Sequence, residues 1–118
     1  MRDVLITVNE TPNFLYMDML AGGDEEFKER FLFFFKEEYL WEVGMYLRHI
    51  RRKEFAAAAI MVAKTKYKFS MLGLVRAFDF AKSYELRLNT NDAKMHEEYR
   101  RVLKKINRFL QEDELQLF

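Results

Sequence analysis

The sequence predicts an all-α protein, and two observations carry that prediction. Glycine and proline are scarce, with four Gly and one Pro in 118 residues, so there are few signals that would interrupt long helices. Apolar residues recur at spacings of three and four over long segments, which is the period of an amphipathic helix. Because these segments are joined by short loops, we expect an antiparallel four-helix bundle with a short extra N-terminal helix. The length fits a single domain spanning residues 1–118.

The composition narrows the possible functions. Half of the residues are apolar and the aromatic content is 16%, which excludes a disordered chain. There is no cysteine, so disulfides, thiolate catalysis and Cys-based zinc sites are excluded, and a reducing compartment is favoured. A net charge of +1 argues against a surface built for nucleic acid or an acidic membrane. The apolar run from Val4 to Val8 is too short for a signal sequence or a membrane span. We therefore expect a cytoplasmic protein.

The N-terminal part is predicted to contain an arm and one short helix. Residues 1–10 include a β-prone run with no second strand to pair with, so we expect an arm packed on the bundle. Thr11 and Pro12 are a good helix start, as the N-cap and the first helical residue. The helix is expected to run to about Leu20, where the next glycines, at 22 and 23, stop it.

The second helix is predicted to begin after the N-cap Asp24 and to end near Arg51. Its core stripe is predicted to be Phe31, Phe35, Tyr39, Val43, Tyr46 and Ile50. Further large apolar residues exceed what one face of a helix can bury in a small bundle; they are Phe33, Phe34, Leu40, Trp41 and Leu47. Phe33, Leu40, Gly44 and Leu47 form a second stripe, which we expect an arm or a partner protein to cover.

The third helix, from about Glu54 to Leu72, is the segment around which the chain is organised. The buried face is predicted to consist of Phe55, Ala58, Val62, Thr65, Phe69 and Leu72. The outer side is predicted to consist of Ala56, Ala59, Ala63, Lys66, Tyr67 and Ser70. A row of alanines opposite the core leaves a shallow surface on which another protein could pack. Gly73 closes the helix.

Two more helices are predicted. The fourth runs from about Leu74 to Leu86, with Ala77, Phe78, Ala81 and Tyr84 facing inward. A turn at residues 89–92 supplies its own N-cap. The final helix presents Met95, Tyr99, Val102, Ile106 and Phe109 to the core. Residues 113–118 are expected to fray.

The third helix resembles the signature helix of histidine-containing phosphotransfer (HPt) domains, which reads H-x-L-K-G followed by L-G-(L/A). The matching residues are Ala63-Lys64-Thr65-Lys66-Tyr67 and Leu72-Gly73-Leu74. With Gly73 on the family's terminal glycine, Lys66 falls on its lysine and Ala63 on its phosphorylated histidine. The resemblance extends from about Tyr16 to Gln111, and Tyr84-Glu85 matches a frequent Leu-Glu.

This resemblance implies an HPt-type bundle without catalytic residues, because alanine cannot form the phosphoramidate that the family's histidine forms. It also implies a partner from two-component signalling, either a response-regulator receiver domain or a sensor histidine kinase. The partner-binding residues implied by the alignment are Ala59, Ala63, Lys64, Lys66, Tyr67 and Ser70. Tyr67 stands where the family keeps a glycine. We expect an adaptor that regulates its partner without phosphotransfer, with Phe33, Leu40 and Leu47 as a secondary binding surface.

The sequence supports several other functions less well than this one. An active phosphotransferase would have to use His49 or His96, but neither has a lysine three residues later, and both are expected to be ordinary surface histidines. Two isolated histidines and diverging acidic pairs such as Glu37-Glu38 predict no metal site, and no phosphate-binding motif predicts a cofactor. Alternation of lysines with aromatics at 66–69 does not make a continuous basic stripe on a helix, although Lys64 and Lys68 share a face. An unrelated structural or oligomerisation protein remains an alternative, but a monomer is favoured.

Overall fold

A computed structural model describes the backbone of residues 10–116 and the side chains of residues 10–111. Within that part of the chain there are five α-helices and no strand, which confirms the all-α prediction. The helices are α1 (Leu15–Ala21), α2 (Glu25–Arg51), α3 (Phe55–Met71), α4 (Val75–Leu88) and α5 (His96–Gln116). The arm predicted at residues 1–10 lies outside the described residues except for Glu10.

The start of α1 differs from the prediction. The helix begins at Leu15 and not at Pro12, because the preceding segment bonds to other helices. Asn13 donates its backbone N–H to the carbonyl of Leu72 at 2.9 Å, and its side chain accepts from the N–H of Leu15 at 3.0 Å. Pro12 is buried. The end of α1 is as expected, since Gly22 adopts the left-handed conformation (φ 56°) that ends a helix.

The ends of α2 match the prediction. The carboxylate of Asp24 accepts a hydrogen bond from the N–H of Phe27 at 3.0 Å, and α2 ends at Arg51. The buried face is rotated slightly from the predicted stripe. Phe35, Tyr39 and Tyr46 are buried as expected, whereas Phe31, Val43 and Ile50 are only partly buried against the core. Leu32 and Glu42 are buried although they were not part of the predicted stripe.

In α3 the predicted inner face is confirmed. Ala58, Val62, Thr65, Phe69 and Leu72 are all buried, and Phe55 packs partly against them. The buried part of the helix is broader than predicted, because α3 packs against both α2 and α4. The additional buried residues are Ala59, Met61 and Lys68.

The last two helices complete the core. In α4, Ala77, Ala81 and Tyr84 are buried as predicted, but Phe80 takes the buried position expected for Phe78, which is only partly covered. The core residues of α5 are Tyr99, Val102, Leu103, Ile106 and Leu110, with Phe109 at the edge, and Met95 just before the helix is also buried. The backbone of α5 stays helical through Gln116. The rest of the end predicted to fray, residues 117–118, lies outside the described residues.

Tyrosine hydroxyl groups connect the helices inside this core. The hydroxyl of Tyr39 in α2 donates to the carbonyl of Leu103 in α5 at 2.8 Å. The hydroxyl groups of Tyr46 and Tyr84 lie 2.6 Å apart and join α2 to α4. Burial raises the pKa of Tyr84 to about 12 and that of Tyr46 well above its ordinary value, so both rings stay neutral. Among the described residues no buried side-chain nitrogen or oxygen lacks a hydrogen-bond partner.

Candidate interaction site on the third and fourth helices

A shallow depression of about 430 Å³ lies between α3 and the C-terminal part of α4. Its lining consists of Ala59, Ile60, Ala63, Lys64, Tyr67, Glu85 and Asn89. The small side chains of Ala59 and Ala63 leave room above the backbone of α3. The depression predicted from the row of alanines is therefore present, although exposed Ala56 lies outside its lining and Ile60, which is more than half exposed, lies within it.

The residues implied by the HPt resemblance fall into different environments. Ala63 is partly exposed, and Lys64, Tyr67 and Ser70 are exposed. Ala59 is 2% exposed, so the prediction that it faces outward is wrong. It forms the floor of the depression because α4 packs against this side of α3. Ala59 was predicted to face outward because alanine is common on helix surfaces, but alanine suits a close contact between helices equally well.

Lys66 is held by its own chain. Its Nζ lies 2.9 Å from Oε1 of Glu85 in α4, and only 13% of its side chain is exposed. The ammonium also lies over the rings of Tyr67 and Phe78, with 5.4 and 5.9 Å to their centroids. Lys66, which was predicted on the outer side of α3 as a partner-binding residue, is therefore paired within the free chain. In this structure Lys66 fixes the rim of the depression by joining α3 to α4.

Lys64 is the cation that the rim presents. It is exposed and forms no ion pair within the described part of the chain. It also borders a second depression, of about 440 Å³, on the side of α3 that faces α2. Glu37, Glu38, Trp41 and Glu42 complete that lining. Lys64 thus stands between an apolar depression and an acidic one.

Tyr67 provides the largest exposed ring of this surface. Slightly more than half of the residue is exposed. One side of the ring rests on Phe78 of α4, at 5.8 Å between centroids. This contact restrains the ring without burying it, which leaves a large amphipathic surface for a partner.

Lys68 has a role that the sequence reading missed. The sequence indicated only that it shares a face with Lys64. In the structure Lys68 is buried with its Nζ 3.2 Å from Oε2 of Glu42 and 3.1 Å from Oε1 of Glu38. Thr65 donates a hydrogen bond to Oε1 of Glu42 at 2.9 Å. These contacts join α2 to α3 beside the second depression, which Glu38 and Glu42 also line. Glu42 lies three residues after Tyr39 and four before Tyr46, and that spacing was the available signal for an inward carboxylate.

Neither histidine is an exposed imidazole beside the depression. His49 has 18% of its side chain exposed, and its Nδ1 lies 2.8 Å from Oε1 of Glu54, a hydrogen bond that lowers the pKa of that carboxyl group. His96 is partly buried, with Nδ1 2.7 Å from the hydroxyl oxygen of Tyr46. Burial lowers the pKa of His96, and Glu97 opposes that effect. The prediction of an ordinary surface histidine is therefore wrong for His96.

The secondary surface predicted on α2 is partly present. Phe33 and Leu40 are each more than half exposed, but Leu47 packs partly against the core and leaves the stripe. Phe34 and Trp41, the other surplus aromatics, are more than half exposed. These four side chains form an apolar surface on α2.

The described residues offer neither a metal centre nor a membrane-spanning helix. They contain no group of three or more His, Asp or Glu side chains placed to hold a metal ion. Among the helices of residues 10–116, none combines the length and the apolar character that a membrane span requires.

In comparisons with known proteins, no protein-family model matches the chain, and no curated protein or solved structure shows significant similarity to it.

Proposed function

We propose that the chain is a non-catalytic interaction module of HPt type. In this proposal α2 to α5 form the family's antiparallel four-helix bundle, with α1 as the extra helix. The module binds a receiver domain or a sensor kinase of two-component signalling and regulates it without carrying phosphate. The observation that carries the proposal is the position of Ala63, which aligns with the phosphorylated histidine and lies partly exposed at the rim of the α3–α4 depression.

The chemistry of the rim supports a binding role. Ala63 has no nucleophile, so the position cannot accept a phosphoryl group. Lys64 supplies an exposed positive charge suited to the acidic pocket of a receiver domain, and Tyr67 supplies contact area of the kind that dominates interface energies. The Lys66–Glu85 pair fixes the rim before a partner arrives, which reduces the entropy lost on binding.

The surroundings of the histidines also favour a non-catalytic role. Phosphoryl transfer to histidine needs an exposed ring nitrogen that the donor can approach in line. Nδ1 of His96 is engaged by Tyr46, and Nδ1 of His49 is engaged by Glu54. These contacts engage one nitrogen of each ring, and neither histidine lines the α3–α4 depression, so the alternative of an active phosphotransferase using either ring has less support.

A binding assay with matched substitutions tests this proposal. The native chain and an Ala63→Arg variant are titrated with the receiver domains of the cell that produces the protein. We expect Ala63→Arg to fill the depression and weaken binding by about 2 kcal/mol, or roughly thirtyfold. The melting temperature should change little, because this substitution on a helix surface costs only about a few tenths of a kcal/mol in propensity.

Ala56→Arg is the control for this assay. It makes the same change on the same helix at an exposed position outside the lining of the depression, so binding should stay close to native. If Ala63→Arg binds every receiver domain as well as the native chain does, the interface is not at this surface.

A further inference from the structure

The outward face of α2 exposes an apolar surface in the middle of the helix. Phe33, Phe34, Leu40 and Trp41 are each more than half exposed, and the rings of Phe33 and Phe34 contact each other at 5.3 Å between centroids. With three aromatic side chains of about 200 Å² each, this surface offers on the order of 400 Å² of apolar area, within the range of about 300–600 Å² for the largest apolar surface of a typical monomer. Apolar surfaces of this size are often functional.

Depressions flank this surface on both sides. One, of about 180 Å³, lies beside Phe33 and Leu40 where α2 meets α5. The other is the acidic depression of about 440 Å³ beside Trp41, where α2 meets α3. A helix with the same row of large side chains can set them into these depressions while its own depressions receive the first row. The surface is in this sense self-complementary.

Charges at the two ends of α2 indicate which helix fits. The first turns carry Glu26 and Glu29, and the last turns carry Arg48 and Arg51, all of them exposed. Glu29, Arg48 and Arg51 form no salt bridge within the described residues, and the Glu26–Arg30 pair is exposed and therefore weak. A parallel second copy of α2 would bring like charges together. An antiparallel copy brings opposite charges together at both ends.

The position of Gly44 agrees with the antiparallel arrangement. The point between residues 38 and 39, close to the middle of α2, is the midpoint of Glu26 and Arg51 and also of Phe33 and Gly44. Antiparallel helices paired about that midpoint place Glu26 opposite Arg51 of the other copy and Phe33 opposite its Gly44. A Cβ atom built on Gly44 meets no atom within 4 Å, so there is open space for a ring above it.

We propose that the chain forms a twofold-symmetric dimer in which the α2 helix of a second copy packs antiparallel on this face. Two such apolar surfaces with their charged ends approach the area of about 1,200 Å² at which specific interfaces begin. The sequence favoured a monomer, with an oligomerisation protein as an alternative. The dimer does not depend on the function proposed for the α3–α4 depression, which lies on other helices.

Sedimentation of the full chain over a range of concentrations tests the dimer. We expect a mass near 14.4 kDa at low concentration and twice that mass at high concentration, with a midpoint below about 200 µM. Leu40→Glu and Gly44→Arg should each raise the dissociation constant by about tenfold or more. Circular dichroism checks that both variants remain helical. Leu86→Glu, on an exposed leucine of α4, is the matched control and should leave the dissociation constant unchanged.

A charge exchange tests the antiparallel arrangement. Arg51→Glu should weaken the dimer, and adding Glu26→Arg to the same chain should restore it, because opposite charges then face each other again. A monomer at every concentration would overturn the proposal and leave the face to a different protein. Equal weakening by Leu86→Glu and Leu40→Glu would place the interface elsewhere, and a charge exchange without recovery would rule out the antiparallel pairing.

Discussion

Lys68 and Glu42 are charged residues that are buried at the contact between α2 and α3. Burying a lysine is costly unless a carboxylate compensates it, and Lys68 is buried because Glu42 lies 3.2 Å away across the α2–α3 contact. The partner comes from a helix 26 residues earlier. A wheel drawn for one helix contains no information about that pairing, so it did not predict the burial of Lys68. Apolar positions such as Val62 and Phe69 need no specific partner, and their burial was predicted correctly.

The stability of the fold should depend on pH through His96, at the start of α5. Burial lowers the pKa of His96 below its ordinary value of 6.5, so the folded state favours the neutral ring. As the pH falls below about 6.5, the unfolded chain therefore binds a proton at His96 more readily than the folded chain does. The stability that comes from the neutral ring is present above that pH and is lost as the pH falls through the folded-state pKa. We expect His96→Gln to reduce the loss of unfolding free energy between about pH 7.5 and pH 5.5.

Urea unfolding at several pH values measures this effect. A His49→Gln variant keeps His96 and its contact with Tyr46, so it is the control. Identical pH dependence in the native chain and in His96→Gln would show that protonation of this ring is not coupled to folding.

Local sequence predicts some helix caps and misses others. The cap at Asp24 was predicted because its partner, the N–H of Phe27, is three residues away. Leu74, which precedes α4, provides no side-chain cap. The carboxylate of Glu10 supplies it instead, accepting from the N–H groups of Arg76 at 2.7 Å and Ala77 at 2.9 Å. No local pattern could have indicated a cap from 66 residues earlier in the chain.

This long-range cap leads to a prediction about α4. Glu10→Ala removes the acceptor of two N–H groups and a negative charge at the positive end of the helix, so we expect a loss of about 1 kcal/mol in unfolding free energy. Amide exchange at Arg76 and Ala77 should accelerate more than exchange in α2. Asp79→Ala, which removes an exposed acid further along α4, is the control. Unchanged exchange at both amides in Glu10→Ala would contradict the role of this cap.

At the scale of the whole molecule, the sequence predicted the class of fold because helix periodicity repeats over every long segment. It also predicted a depression beside Ala63 and the exposure of Tyr67, since both follow from the direction in which α3 faces its core. What it missed depends on pairs of helices. Glu85 binds Lys66 across α3 and α4, and the Tyr46 hydroxyl lies beside His96 across α2 and α5. These contacts decide which charges remain available to a partner.

The function proposed for this chain rests on the resemblance of α3 to the HPt signature helix, in which Ala63 stands where that family has its phosphorylated histidine. The most direct test is transfer of radiolabelled phosphate from the sensor kinases and phosphorylated receiver domains of the producing cell. We expect the native chain to take up no label. Restoring the family's residues with Ala63→His and Tyr67→Gly together should give an acid-labile phosphate, whereas Ala56→His, an exposed position on the same helix, should not. Acid-labile phosphate on His49 or His96 of the native chain would contradict the proposed non-catalytic function.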